Sequence, residues 1–184
     1  MLSGFVRPRA AIVIYPMLDL KADHYTKEYP KPIIGVPNFP MSFVDEALAT
    51  ASTRDPITSA DPPERVEMAL ASVQTGRFLD YLGSDDPALF PLDRLRDGRY
   101  AKVPGESIFP PLFVLHGESD SAVPAEGTRR LLEVIDQVDP RQKVRAAFRP
   151  GDHGFDGEAT LEDGWLREGL DWISSEWLND KSRL

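Results

Sequence analysis

The sequence predicts a layered α/β fold, about three parallel strands with flanking helices, interrupted by a helical insertion. Three observations predict it. Short apolar runs at residues 10–15 and 112–115 have the length and composition of strands buried on both faces, the signature of a parallel sheet. Stretches with apolar residues at helical spacing follow the later runs. Residues 17–110 hold most of the 17 prolines and read as short helices and loops.

Each element has its own warrant. Ala10-Ala-Ile-Val-Ile-Tyr15 is closed by Pro16, which ends a strand by removing a backbone donor. Leu112-Phe-Val-Leu115 enters from Pro110-Pro111 and leaves at His116-Gly117. Val144-Arg-Ala-Ala-Phe148 is interrupted by Arg145 and suits a position nearer the sheet edge. From Pro124 to Val138, Leu131, Ile135 and Val138 form one stripe, with Pro124 and Glu126 as first-turn residues. Between Leu161 and Leu178, Leu166, Leu170, Ile173 and Trp177 form another. In the insertion, 42–51 and 63–74 predict helices, while Pro30–Pro37 and Pro87–Pro91 predict extended turns. A long irregular insertion between strands of one sheet is usually functional, and 17–110 reads as a cap or lid.

Composition narrows the function. The 184 residues carry a net charge of −9, and their densest basic stretch, Arg94-Leu-Arg96-Asp-Gly-Arg99, is broken by an acid. That argues against nucleic acid and against an anionic membrane surface as partners. No apolar run approaches the ~20 residues of a membrane span. With no cysteine there is no disulfide framework and no thiolate metal site, and the three histidines do not stand at metal-ligand spacing. No cofactor is implied. The N-terminus lacks the pattern of a secretory signal, which makes the cytoplasm the default location.

The strongest local signal is His116-Gly-Glu-Ser-Asp-Ser-Ala-Val-Pro124, between the second strand and its helix. After the third strand comes Gly151-Asp-His-Gly-Phe155. Loops at the carboxyl ends of parallel strands are where such sheets place their sites. The first segment resembles the His-Gly-x-x-Asp-x-x-Val-Pro motif of α/β-hydrolases of the esterase/lipase type, and the second resembles that family's histidine loop. The resemblance implies that Asp120 is the acid and His153 the general base of a serine triad, in the family's chain order. The chemistry is coherent: a serine hydroxyl needs a base near its operating pH, and the imidazole needs a carboxylate to fix its tautomer.

The resemblance extends further. Arg7-Pro-Arg-Ala-Ala-Ile-Val-Ile-Tyr-Pro-Met-Leu-Asp-Leu20 is similar to the segment that follows the nucleophile's helix. Phe90-Pro-Leu-Asp93, Pro110-Pro-Leu112 and Trp165-Leu-Arg-Glu-Gly-Leu-Asp-Trp172 resemble fungal-type members. It implies the C-terminal portion of an α/β-hydrolase fold, with a small, fairly apolar ester as substrate of the full-length relative. The nucleophile's Gly-x-Ser-x-Gly does not occur. Leu2-Ser-Gly-Phe5 resembles the end of the nucleophile's helix, so the elbow is expected upstream of Met1, as in a truncated or misdivided gene product. Ser119, in Gly117-Glu-Ser-Asp-Ser121, is a poor substitute because Asp120 and Ser121 do not suit a strained elbow; Ser107 follows no strand.

Other candidates carry blander readings. His116 ends a buried strand and reads as structural; His24 reads as exposed. Asp152 and Asp156, beside His153, read as facing water. Trp165, Trp172 and Trp177 read as core or rim. The chain alone is expected to be inactive as an esterase. The alternatives are a non-catalytic ligand- or protein-binding module and one half of a two-chain enzyme. An unpaired edge at the 10–15 strand predicts self-association or an N-terminal partner chain.

Overall fold

The structure is a computed structural model that describes residues 8–50, 61, 63–82, 86–100 and 105–178. Leu2–Phe5, and Ala51 at the end of the helix expected over 42–51, lie outside the described residues. The chain divides into two compact units: one comprises the described residues up to Asp19 and from Phe90 onward, the other Leu20–Leu89. The separate unit is thus shorter than the 17–110 stretch that the prolines mark out.

The first unit is built on a three-stranded parallel sheet in the order β1 (Ala11–Ile14), β2 (Leu112–Gly117), β3 (Val144–Arg149). Every residue of β2 is buried, as its uninterrupted apolar run requires. Its side chains alternate between two cores. Leu112 and Val114 pack with Leu131, Val134 and Ile135 of α6 (Glu126–Val138) and with Leu92 and Leu95. Phe113 and Leu115 pack with Ile173, Trp165, Leu166 and Trp172 of α7 (Gly164–Leu178). Gly169 makes that second contact close: a Cβ there would fall 1.8 Å from Phe113 Cζ. Sheet between helices is the layered architecture expected.

Two buried polar side chains of this unit anchor the approach to β2. The Asp139 carboxylate, just past α6, accepts Ile108 N–H at 2.9 Å. The Gln142 amide accepts Phe109 N–H at 2.9 Å and donates to Pro110 O at 2.9 Å. Together they fix the chain as it runs into β2.

One expectation is corrected. β1 is not buried on both faces. Ala11 and Val13 join the α6-side core, but Ile12 and Ile14 are 46% and 41% exposed. Helix α7 packs across β2 and β3, so the opposite face of the outermost strand remains open. Among the described residues β1 pairs only with β2.

Among its described residues the second unit has four short α-helices, Asp23–Thr26, Met41–Thr50, Val66–Gln74 and Phe78–Leu82, with Tyr25, Ile33, Val44, Ala71 and Val73 buried. The buried Gln74 amide donates to Val36 O at 3.1 Å and accepts Phe39 N–H at 3.0 Å. That staples the proline-rich segment, irregular as predicted, to the third of these helices. Among the described residues no helix is long and apolar enough to cross a membrane.

Candidate active site

Because the three strands are parallel, their carboxyl ends emerge together, with Ile14 beside Leu115 and Gly117 beside Arg149. The loops that follow carry Tyr15, Asp120 and His153. Two of them are zipped by the backbone: Glu118 N–H donates to Arg149 O at 2.7 Å and Ser119 N–H to Gly151 O at 3.0 Å. This approach requires Gly117, where a Cβ would meet Gly151 O at 2.8 Å and Asp152 O at 2.9 Å. It also requires Gly151, whose φ of +137° lies outside the usual range of side-chain-bearing residues.

Asp120 and His153, singled out by their motifs, meet. His153 Nδ1 lies 2.9 Å from Asp120 Oδ2. The Asp120 carboxylate is fully buried, and its other oxygen accepts the backbone N–H groups of Ala122 at 2.9 Å and Val123 at 2.7 Å. A buried carboxylate with its lone pairs engaged in this way is fixed in direction. Since a carboxylate only accepts, Nδ1 carries the hydrogen, which leaves the lone pair of the neutral ring on Nε2. Nε2 has no hydrogen-bond partner among the described residues, and the side chain is 28% exposed. The arrangement can take up a proton at Nε2 and stabilise the resulting imidazolium.

His116 is a brace behind this pair. It is wholly buried, with Nε2 2.7 Å from Val123 O and Nδ1 2.7 Å from Thr128 Oγ1 on α6. The carbonyl can only accept, so Nε2 carries the hydrogen and Nδ1 accepts from the threonine. His24 lies in the second unit, its ring edge-on to Tyr25. Ser119 is exposed and makes no hydrogen bond to His153 among the described residues. Trp165 and Trp172 are rim residues of the α7 core, and Trp177 is exposed. No group of His, Asp or Glu side chains able to hold a metal ion occurs among the described residues.

Asp152 and Asp156 do not simply face water. Asp152 accepts Ser121 N–H at 2.6 Å, Ser121 Oγ–H at 2.7 Å and His153 N–H at 2.7 Å, clamping the acid loop to the histidine loop. Burial by itself would raise this carboxyl. The Ser121 and His153 hydrogen bonds and the nearby imidazole outweigh burial and hold it below its ordinary 3.8. Asp156 lies near the Tyr15 hydroxyl; burial first, then this carboxylate, push the phenol up. Tyr15 itself lies against the His153 imidazole, ring centroids 4.3 Å apart at a 56° tilt. Its φ of +33° is rare for a residue with a side chain and costs on the order of 1 kcal/mol or more. Sequence reasoning treats Tyr15 as the end of a strand; the only hint of more is its position before Pro16.

A parallel α/β sheet with an acid and a histidine on loops after successive strands is the layout of the later half of an α/β-hydrolase. No family model matches the chain. It is 31% identical over 120 residues to the protein named "Probable carboxylesterase M8" from Phoma sp. (strain ATCC 20986 / MF5453), over 65% of this chain and 35% of that protein. The chain thus spans about a third of the length of the fungal relative it matches. The crystal structure of a protein of unknown function from Staphylococcus aureus subsp. aureus Mu50 is similar in fold, with a TM-score of 0.52 and 15% identity, over 91% of this chain and 56% of that one. The chain is related to α/β-hydrolases of the esterase type, and its three strands and flanking helices form part of that fold.

Proposed function

We propose that Asp120 and His153 are the acid and base of serine-type acyl transfer on a small carboxylic ester. The observation that carries this reading is the 2.9 Å contact between Nδ1 and the buried carboxylate, with Nε2 left without a partner among the described residues. In the reaction, a serine Oγ bonds to the ester carbonyl carbon while His153 Nε2 takes the hydroxyl proton. The same proton then goes to the departing alkoxide as the carbon–oxygen bond breaks. Water repeats the sequence to release the acid. Asp120 stays ionised throughout and stabilises the imidazolium.

The serine is not among these 184 residues, because no Gly-x-Ser-x-Gly occurs in them, and the oxyanion-hole amide that follows that serine is missing with it. On this reading the nucleophile is supplied by other polypeptide. The chain by itself should therefore hydrolyse short acyl nitrophenyl esters no faster than its His153→Ala variant. A clear excess in the unsubstituted chain would contradict this and make Ser119 a nucleophile candidate again. The open edge of β1 favours a second reading, in which this chain is one half of a two-chain assembly. Exposed Ile12 and Ile14, on a strand that pairs only with β2 among the described residues, suit an added strand from that other half, or a second copy of the chain.

A further inference from the structure

We infer that Tyr15 is a positioning residue for His153: its ring, laid against the imidazole, fixes the plane of the base so that Nε2 stays free. The inference rests on the reading of His153 as the base. A single hydrogen bond from Nδ1 to Asp120 fixes one point of the imidazole, and the ring can still rock about that axis. An aromatic ring 4.3 Å away removes this freedom without occupying either nitrogen.

Tyr15 is itself held by its surroundings. Its N–H donates to Leu115 O at 2.7 Å, at the carboxyl end of the sheet. Its hydroxyl lies near the carboxylate of Asp156, which follows the histidine loop. Phe155 and His116 flank the ring with centroids 6.4 Å and 6.5 Å away. The φ of +33°, in the residue before a proline, is a conformation that a side-chain-bearing residue adopts only when its surroundings impose it. What that conformation achieves is the contact with His153. The groups facing the imidazole are then the Asp120 carboxylate at Nδ1, the Tyr15 ring backed by Asp156, and Asp152 at the backbone N–H.

The test follows the exchange of the His153 Nδ1–H proton with water by proton NMR, with the buried His116 Nε2–H as internal reference. Tyr15→Asn removes the ring and suits a positive φ; Tyr15→Leu provides a second ring-free variant, and Tyr15→Phe keeps the ring. In both ring-free variants the His153 proton should exchange roughly threefold to tenfold faster, the rate equivalent of one aromatic contact. Tyr15→Phe should stay within about twofold of the unsubstituted protein, and the His116 proton, whose ring meets Tyr15 only edge-on at 6.5 Å, should change less than the His153 proton. Unchanged exchange in either folded ring-free variant overturns the inference, as does equal acceleration of both histidine protons, which is general loosening. Asp120→Asn is the control on the underlying reading. If no held Nδ1–H proton exists, or if Asp120→Asn leaves it unaltered, the base assignment itself fails.

Discussion

Gly117→Ala is a sharp perturbation of the site because the substituted atom points at the loop that carries His153. The added carbon would stand 2.8 Å from Gly151 O, 2.9 Å from Asp152 O and 3.3 Å from Phe155 Cδ1. Two of those atoms are backbone and cannot rotate away. Restoring ordinary contact moves the end of β2 and the histidine loop apart by about 0.5 Å. The separation is drawn from the contacts joining the two loops, including the 2.9 Å from His153 Nδ1 to Asp120. At roughly 3.4 Å that bond is at the limit of useful geometry. Overpacking of this kind costs about 1–3 kcal/mol, and a domain of this size loses about 2–4 °C of melting temperature per kcal/mol. Thermal melting together with NMR of the Nδ1–H proton should therefore show a lower midpoint and a weakened or lost signal. Gly164→Ala, with nothing within 4 Å of the new carbon, is the neutral comparison. A Gly117→Ala protein with both properties unchanged would refute the claim that close backbone approach assembles the pair.

The Asp152 clamp predicts a pH dependence. Its carboxyl is held below 3.8 in the folded chain, so its contribution is complete above the unfolded carboxyl range and fades as pH falls through the depressed native value. Asp152→Asn should lower stability at neutral pH by on the order of 1 kcal/mol and lose less on acidification than the unsubstituted protein. Ser121→Ala removes only the hydroxyl donor and should fall between the two. Denaturation across the acidic range measures this, and parallel stability curves for the three proteins would contradict it.

What was legible in the sequence was whatever local pattern determines. The stripe of Leu131, Ile135 and Val138 marks the inner face of α6, and the run after Pro110-Pro111 marks β2. The residues around Asp120 and His153 identify two loops that parallel topology must bring to one edge. Features set by distant partners were not legible. Asp152 sits among acids and glycines and reads as solvated, because its partner Ser121 is remote in sequence. The exposure of Ile12 and Ile14 depends on what covers β1, which an apolar run does not encode. Tyr15 owes its place to a backbone angle that no residue pattern specifies. Leu92 and Leu95 lie in the proline-rich stretch yet pack with the sheet core, a contact that no local pattern specifies.

The central claim, that Asp120 fixes His153 as a base through Nδ1, is tested most directly by the nitrogen-15 NMR signature of the His153 ring in its neutral form. The account predicts a hydrogen on Nδ1 and a bare Nε2 in the unsubstituted protein, with that preference lost in Asp120→Asn. A hydrogen predominantly on Nε2, or the same mixture of forms with and without the Asp120 carboxylate, would contradict it.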